Sequence, residues 1–111
     1  MKEFIKNVTL AEKFVLKDLV AYEKGSVSSI TLAQKQGVGI TVFSFDSGEE
    51  ISTHVAPGDA MVVVLEGEAI ITIDGKENKV SEGDSIVMPA GSPHAVKAIT
   101  QYKMLLTVVK E

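Results

Sequence analysis

The chain has 111 residues, no cysteine and a net charge of −4 at pH 7, which suits one domain with its own core and no disulfide. All eleven basic residues are scattered lysines, without the basic stripe of a nucleic-acid-binding protein, so we expect no nucleic-acid partner. No apolar run reaches the roughly 20 residues of a membrane span or resembles a signal peptide. The sequence therefore predicts a soluble, cytoplasmic protein that does not bind membranes.

Residues 1–25 form an N-terminal segment whose pattern is ambiguous. Residues 9–12 (TLAE) fit a capping box that would open a short helix, whereas residues 14–16 (FVL) equally suit a strand. Residues 16–20 are compatible with a single helical turn. Both helix and strand stay open for this segment.

From residue 26 to residue 109 the pattern is that of a β-barrel. β-branched and apolar stretches alternate with turn residues every eight to twelve positions, which is typical of an all-β sandwich or barrel. Asp74-Gly75 is the strongest hairpin signal, because both turn positions favour positive φ. The predicted strands cover residues 27–33, 38–45, 61–65, 69–73, 85–88, 94–99 and 103–109.

Two of these strands, residues 61–65 and 104–109, are apolar almost throughout. An antiparallel strand with one solvated face alternates between apolar and polar side chains, so we expect both faces of these strands to be covered. A partner subunit would provide the second cover in a homodimer, which we predict. In the alternative, the N-terminal segment of the same chain lies over them.

Glycine, proline and histidine recur in the barrel at spacings that resemble the two motifs of the cupin family. Seven of the ten motif positions match, and the resemblance spans residues 38–109, with residues 68–82 as the short hairpin between the motifs. It implies a cupin fold, which is an all-β jelly-roll barrel (a double-stranded β-helix). The matching residues are Gly48, His54, Gly67, Gly83, Pro89, Gly91 and His94.

The sequence departs from the motifs at the positions that bind metal in many cupins. There the family pattern has a second histidine, a glutamate and an asparagine, and this chain has Ala56, Ala60 and Ala98. Of the usual four metal ligands only His54 and His94 are present. The resemblance thus implies at most a weak site for a divalent transition metal at these two histidines, and no cofactor is firmly predicted.

Other oxygen donors lie close in sequence to the missing ligands. Asp59 directly precedes the vacant glutamate position, but within Pro57-Gly58-Asp59 it is expected to serve a turn or a strand entry. Ser52, Thr53 and Gln101 are further candidates.

Three functions are compatible with this pattern. In the first, the barrel cavity binds a small molecule beside His54, His94, Ala56, Ala60 and Met61 without a firmly bound metal, as a sensor, a carrier or a non-metal enzyme. In the second, the chain is a metal-dependent cupin enzyme of the dioxygenase or isomerase type that uses both histidines and an unusual third ligand. In the third, the barrel is an interaction module with a vestigial cavity. Met61, Met88 and Met104 are candidates for the apolar lining, and no catalytic residue is assigned.

Overall fold

A computed structural model describes residues 3–111, so Met1 and Lys2 of the predicted N-terminal segment lie outside the described residues. Within that range the chain forms nine β-strands and one 3-10 turn, at Leu16–Asp18. None of its helical segments is long and apolar enough to span a bilayer. The strands are β1 (Val27–Gln34), β2 (Val38–Phe45), β3 (Glu50–His54), β4 (Asp59–Glu66), β5 (Glu68–Ile73), β6 (Lys76–Ser81), β7 (Ser85–Met88), β8 (His94–Ala98) and β9 (Tyr102–Val109).

The strands form two antiparallel sheets that face each other. One has five strands in the order β1-β2-β9-β4-β7, and the other has four in the order β3-β8-β5-β6. Their inner faces enclose a core in which Phe45 and Tyr102 pack edge to face, with ring centroids 5.3 Å apart, above Ile71. Strands that follow one another in sequence mostly lie in different sheets. The predicted all-β jelly-roll barrel is confirmed.

The hairpin between β5 and β6 turns at Asp74 and Gly75, as the sequence predicts. Both residues have positive φ, 50° and 79°, which matches the right-handed twist of the two strands. The register of the two strands pairs Ile73 with Lys76 next to the turn and continues without a shift to the pair of Glu68 and Ser81.

Gly67, between β4 and β5, is required for two separate reasons. Its φ is +81°, which side chains rarely tolerate, and a Cβ placed on it would lie 1.9 Å from the backbone oxygen of Gln101. Gly75 also has positive φ but meets no heavy atom within 4 Å of an added Cβ. Gly67 therefore permits a close approach of two chain segments as well as a turn.

The N-terminal segment lies along the outer face of the five-stranded sheet. Its backbone is bonded to β1 from Lys6 N to the Leu32 oxygen (2.8 Å), and the buried Ser44 hydroxyl donates to the oxygen of Ala21 (2.8 Å). The helical turn expected within residues 16–20 is present as the 3-10 turn. Neither the helix at residues 9–12 nor the strand at 14–16 forms, and Ala11 has a φ of 65°, which interrupts a helix.

A polar cluster fixes the end of this segment to β4 and β9. The Tyr22 hydroxyl donates a hydrogen bond to Glu66, whose other oxygen lies 3.7 Å from the Lys17 ammonium. The buried Lys103 amine donates to the Lys17 backbone oxygen and sits 4.7 Å from the centroid of the Tyr22 ring. Burial and the bond to Glu66 raise the pKa of Tyr22, while that same bond holds the pKa of Glu66 below its usual range.

Residues 3–111 leave part of the outer face of the five-stranded sheet exposed. Met61 on β4 is 41% exposed, and its cross-strand neighbour Val87 on β7 is 48% exposed. Val109 on β9 pairs with Asp59, two residues before Met61, and is also exposed. The expectation that residues 61–65 and 104–109 are covered on both faces is thus met only where the N-terminal segment lies.

Candidate functional site

His54 and His94 meet inside the barrel as a cross-strand pair. They face each other directly on the adjacent strands β3 and β8, and their Nε2 atoms are 3.1 Å apart. The two rings are inclined by 70° with centroids separated by 4.3 Å. His94 is 2% exposed, whereas His54 ends β3 and is exposed at the cavity mouth. The sequence prediction that the two histidines converge on one cavity agrees with this geometry.

A β-bulge in β3 turns His54 inward. Ile51 pairs with Val96 and His54 pairs with His94, so Ser52 and Thr53 together stand opposite the single residue Ala95. Because side chains alternate along a strand, one extra residue changes the face of everything beyond it. Ile51 and His54 therefore both face the interior, and the two bulge residues line a groove on the outer face of the sheet.

Both imidazoles are held by backbone carbonyls on their Nδ1 side. Nδ1 of His54 lies 2.9 Å from the oxygen of Ser52, and Nδ1 of His94 lies 3.0 Å from the oxygen of Ser92. A carbonyl oxygen only accepts hydrogen bonds, so each Nδ1 carries a hydrogen, and in its neutral form each ring presents a lone pair at Nε2. Two acceptor nitrogens are thus directed at the same region of the cavity.

The cavity between the sheets has a volume of about 250 Å³ and is largely apolar. Among residues 3–111, the two histidines are the only polar side chains in its lining. Apolar side chains from both sheets and the loop after β3 supply the rest, and these are Phe43, Ile51, Ala56, Ala60, Met88, Val96, Met104, Leu106 and Val108.

Four of the five residues proposed from the sequence to bind a ligand line this cavity, namely His54, His94, Ala56 and Ala60. Met61 does not, which corrects the expectation for this residue. Ala60 faces inward and is 2% exposed, so the alternation of side chains directs Met61 to the outer face of β4.

The remaining cavity residues mostly escaped the sequence reasoning. Phe43, Ile51, Leu106 and Val108 line the cavity, but in the sequence they are ordinary apolar strand residues. Met88 and Met104 line it as proposed. The alternation of β9, where Met104, Leu106 and Val108 share a face, is the signal that could have identified Leu106 and Val108.

None of the alternative donors brings a side-chain oxygen into the cavity lined by the histidines. Asp59 accepts a hydrogen bond from the backbone of Ala90 (2.9 Å) and so fixes the loop before β8, which fits its expected structural role. Ser52 and Thr53 lie on the outer face, and Gln101 donates to Asp46 (3.3 Å). Ala98 is buried in the core and is not part of the cavity lining.

The residues present fit two positions of a metal site but not a complete one. With a Zn–N distance of about 2.0–2.1 Å, nitrogens 3.1 Å apart would subtend roughly 100° at an ion, as neighbouring ligands do. Catalytic sites usually keep three protein ligands, however, and residues 3–111 contain no group of three or more His, Cys, Asp or Glu side chains that could hold an ion. The donor set therefore does not fit a firmly held metal.

Comparison with known proteins places this geometry among related barrels. A family model described as Cupin domain matches residues 41–110. The structure is similar to that of a conserved protein of unknown function from Streptococcus pyogenes, with 49% identity, a TM-score of 0.96 and coverage of 99% of this chain and 96% of the other. A cupin superfamily protein from Desulfitobacterium hafniense shows 32% identity and a TM-score of 0.92, covering 96% and 98% of the two chains. An uncharacterized protein of Aquifex aeolicus is 26% identical over 95 residues, which are 84% of this chain and 78% of that one.

Proposed function

The chain belongs to the cupin family, and we propose that its barrel cavity binds a small, mostly apolar molecule next to His54 and His94 without a firmly bound metal. The observation that carries this proposal is the convergence of two imidazole Nε2 atoms in a cavity whose other lining is apolar. Ligand sites commonly combine an apolar wall with a few convergent polar groups.

The size of the cavity limits the ligand. An engineered apolar cavity of about 150 Å³ accepts benzene, so about 250 Å³ suits a molecule of a single ring with one or two substituents. Met88 and Met104 line the wall, and their flexible side chains can adapt to such a ligand.

The methionines provide a direct test. In protein labelled at the methionine methyl groups, toluene should shift the NMR signals of Met88 and Met104 and leave that of the outward-facing Met61 unchanged. Ala60→Leu, which fills the cavity, should abolish the shifts, whereas Met61→Leu on the opposite face of the same strand should preserve them. Toluene without effect on either cavity methionine would refute the proposal.

Metal content tests the second half of the proposal. Purified protein should contain far less than one transition-metal ion per chain by elemental analysis. A stoichiometric metal in protein purified without added metal would reject binding without a firmly held ion.

A metal-dependent cupin enzyme is the second candidate, because the 3.1 Å separation of the Nε2 atoms equals that of two neighbouring ligands. In this case His54→Ala and His94→Ala should each abolish metal uptake. Asp59→Ala, which removes a carboxylate outside the cavity, serves as the control. If iron, manganese, nickel, copper and zinc change neither the melting temperature nor the spectra of the wild type, this candidate fails.

We further propose that two copies of the chain form a homodimer through the uncovered face of the five-stranded sheet. Met61 and Val87 are cross-strand neighbours there, and Val109 pairs with Asp59 further along the same strand. Phe14 and Val15, just before the 3-10 turn that packs on β4 and β9, are also exposed. A two-fold contact would bury this self-complementary patch. Sedimentation should show a dimer that Val87→Lys dissociates, while Val55→Lys, at an equally exposed valine beyond β3, leaves it intact. A monomeric wild type would refute this.

A further inference from the structure

The two Nε2 atoms restrict the chemical class of molecule that the cavity can accept. Both Nδ1 atoms donate to backbone oxygens, at 2.9 and 3.0 Å, so in their neutral form the two rings present lone pairs to each other across 3.1 Å. Two acceptors at this distance repel unless a hydrogen or a cation lies between them or close to both. A suitable ligand therefore brings a group that both nitrogens can accept from.

Resting on the proposed binding in the barrel cavity, we infer that the ligand is a small uncharged molecule with an apolar body and one hydroxyl donor, as in a simple phenol, and that this hydroxyl donates to the His54–His94 pair. The rest of the lining offers no other hydrogen-bond partner from a side chain. One donor at one end of an apolar body matches this arrangement.

Charge argues against the other classes of ligand. The lining contains neither a carboxylate nor a lysine, and an ion buried without a partner is strongly disfavoured. An ammonium ligand would find two acceptors but no counter-charge. A carboxylate ligand would bring further lone pairs to two nitrogens that already present their own. The single hydrogen of an uncharged hydroxyl can be shared by the two nitrogens, which lie 3.1 Å apart, and it adds no net charge.

Depth in the barrel adds to this selectivity. His94 is almost completely buried, and Phe43 and Ile51 line the same cavity. A hydrogen bond to its Nε2 atom is formed away from water and discriminates well, because a ligand that lacks the donor leaves this buried acceptor unpaired. The methyl ether of a phenol, which has the same body but no donor, is the matched probe.

The test compares three neutral probes by titration calorimetry and methionine-methyl NMR. p-Cresol should bind about tenfold more tightly than 4-methylanisole, the difference expected for one buried hydrogen bond, and toluene should bind about as weakly as the ether. In His54→Leu the preference for p-cresol should fall to about twofold or less while toluene still binds. His94→Leu should reduce the preference for p-cresol in the same way. Because His54 lies at the mouth of the cavity, His54→Leu tests the hydrogen bond without changing a buried core residue.

Each other result has a definite meaning. If 4-methylanisole and toluene bind as well as p-cresol, the donor requirement is wrong and binding in the apolar cavity still holds. If 4-methylbenzoate or 4-methylbenzylamine binds more tightly than p-cresol, the ligand is charged and the inference is overturned. If neither toluene nor p-cresol enters the cavity, the proposed function fails and the inference fails with it.

Discussion

In the double variant Ala56→His/Ala60→Glu, an imidazole and a carboxylate would enter the cavity beside His54 and His94. Both alanines line the same cavity as the histidine pair, and both occupy positions at which metal-binding cupins carry ligands. The variant therefore presents up to four donors to one region of the barrel, where the wild type presents two.

The two substitutions should lower the stability of the protein without metal, and bound metal should restore more than half of that loss. Without metal, a glutamate at the buried position 60 introduces a charge with no partner, which costs about 3–5 kcal/mol if it stays ionised. Metal at 100 times its dissociation constant contributes about 2.7 kcal/mol. For a domain of about 100 residues this corresponds to a rise of roughly 10–20 °C in melting temperature.

Thermal unfolding with and without zinc or nickel measures this change. The wild type, with two ligands, should respond by no more than a few degrees at the same metal concentration. Met61→Glu places the carboxylate one residue further along β4, on the outer face, and should behave like the wild type. If the double variant shows no metal-dependent rise, or if Met61→Glu shows an equal one, positions 56 and 60 do not face a shared site.

Three further predictions concern the scaffold. Gly67→Ala should lower the free energy of unfolding in urea by several kcal/mol more than Gly75→Ala does. In both variants alanine must adopt a positive φ, at about 1–2 kcal/mol, but only at position 67 does its Cβ clash with the backbone. Equal losses in the two variants would contradict this. Tyr22→Phe should lower the melting temperature most at neutral pH. The hydrogen bond from Tyr22 lowers the pKa of Glu66, so the stability that this bond contributes is lost as the pH falls through that depressed pKa. A difference in melting temperature that does not depend on pH would be inconsistent with this. Deletion of Thr53 should remove the bulge and leave Ser52 alone opposite Ala95, so the following histidine should still pair with His94 and face inward. The preference of the cavity for p-cresol over toluene should therefore persist, and its loss would show that the bulge itself is required.

The barrel strands were well predicted because their signals are local. β2 and β7 have the predicted bounds, and the Asp74-Gly75 turn has the predicted backbone conformation. The alternation of apolar residues and the conformational limits of glycine act within a few residues, so they are readable without knowledge of the fold. The pairing of His54 with His94 could be anticipated only from the motif spacings, because forty residues separate them.

Strand β3 was not assigned from the sequence, and β6 was implied only as the second strand of the hairpin at Asp74-Gly75, for the opposite reason. β3 contains Glu50, Ser52 and Thr53, all exposed, and β6 is mostly polar, with only Val80 buried. Their strand conformation depends on the neighbours β8 and β5, to which they are hydrogen-bonded as the edges of the four-stranded sheet. Tertiary pairing of this kind leaves little pattern in the segment itself.

The face on which Met61 lies and the path of the N-terminal segment could be determined only from the three-dimensional structure. A uniformly apolar strand does not show which of its faces is the inner one, and the register of β4 beside β9 decides this. The N-terminal segment has no regular structure of its own apart from one short turn. Its path is determined by bonds to β1, to Ser44 and to Lys103, all distant in sequence.

The extra residue in β3 has a consequence for how this protein should be compared with its relatives. The bulge lets Ile51 and His54 face the same side although they are three positions apart, whereas residues three apart in a regular strand face opposite sides. A relative one residue shorter there would have a regular strand, in which the histidine lies two positions after the isoleucine and still faces inward. A gap of one residue at this point of an alignment would thus leave the paired imidazoles in place.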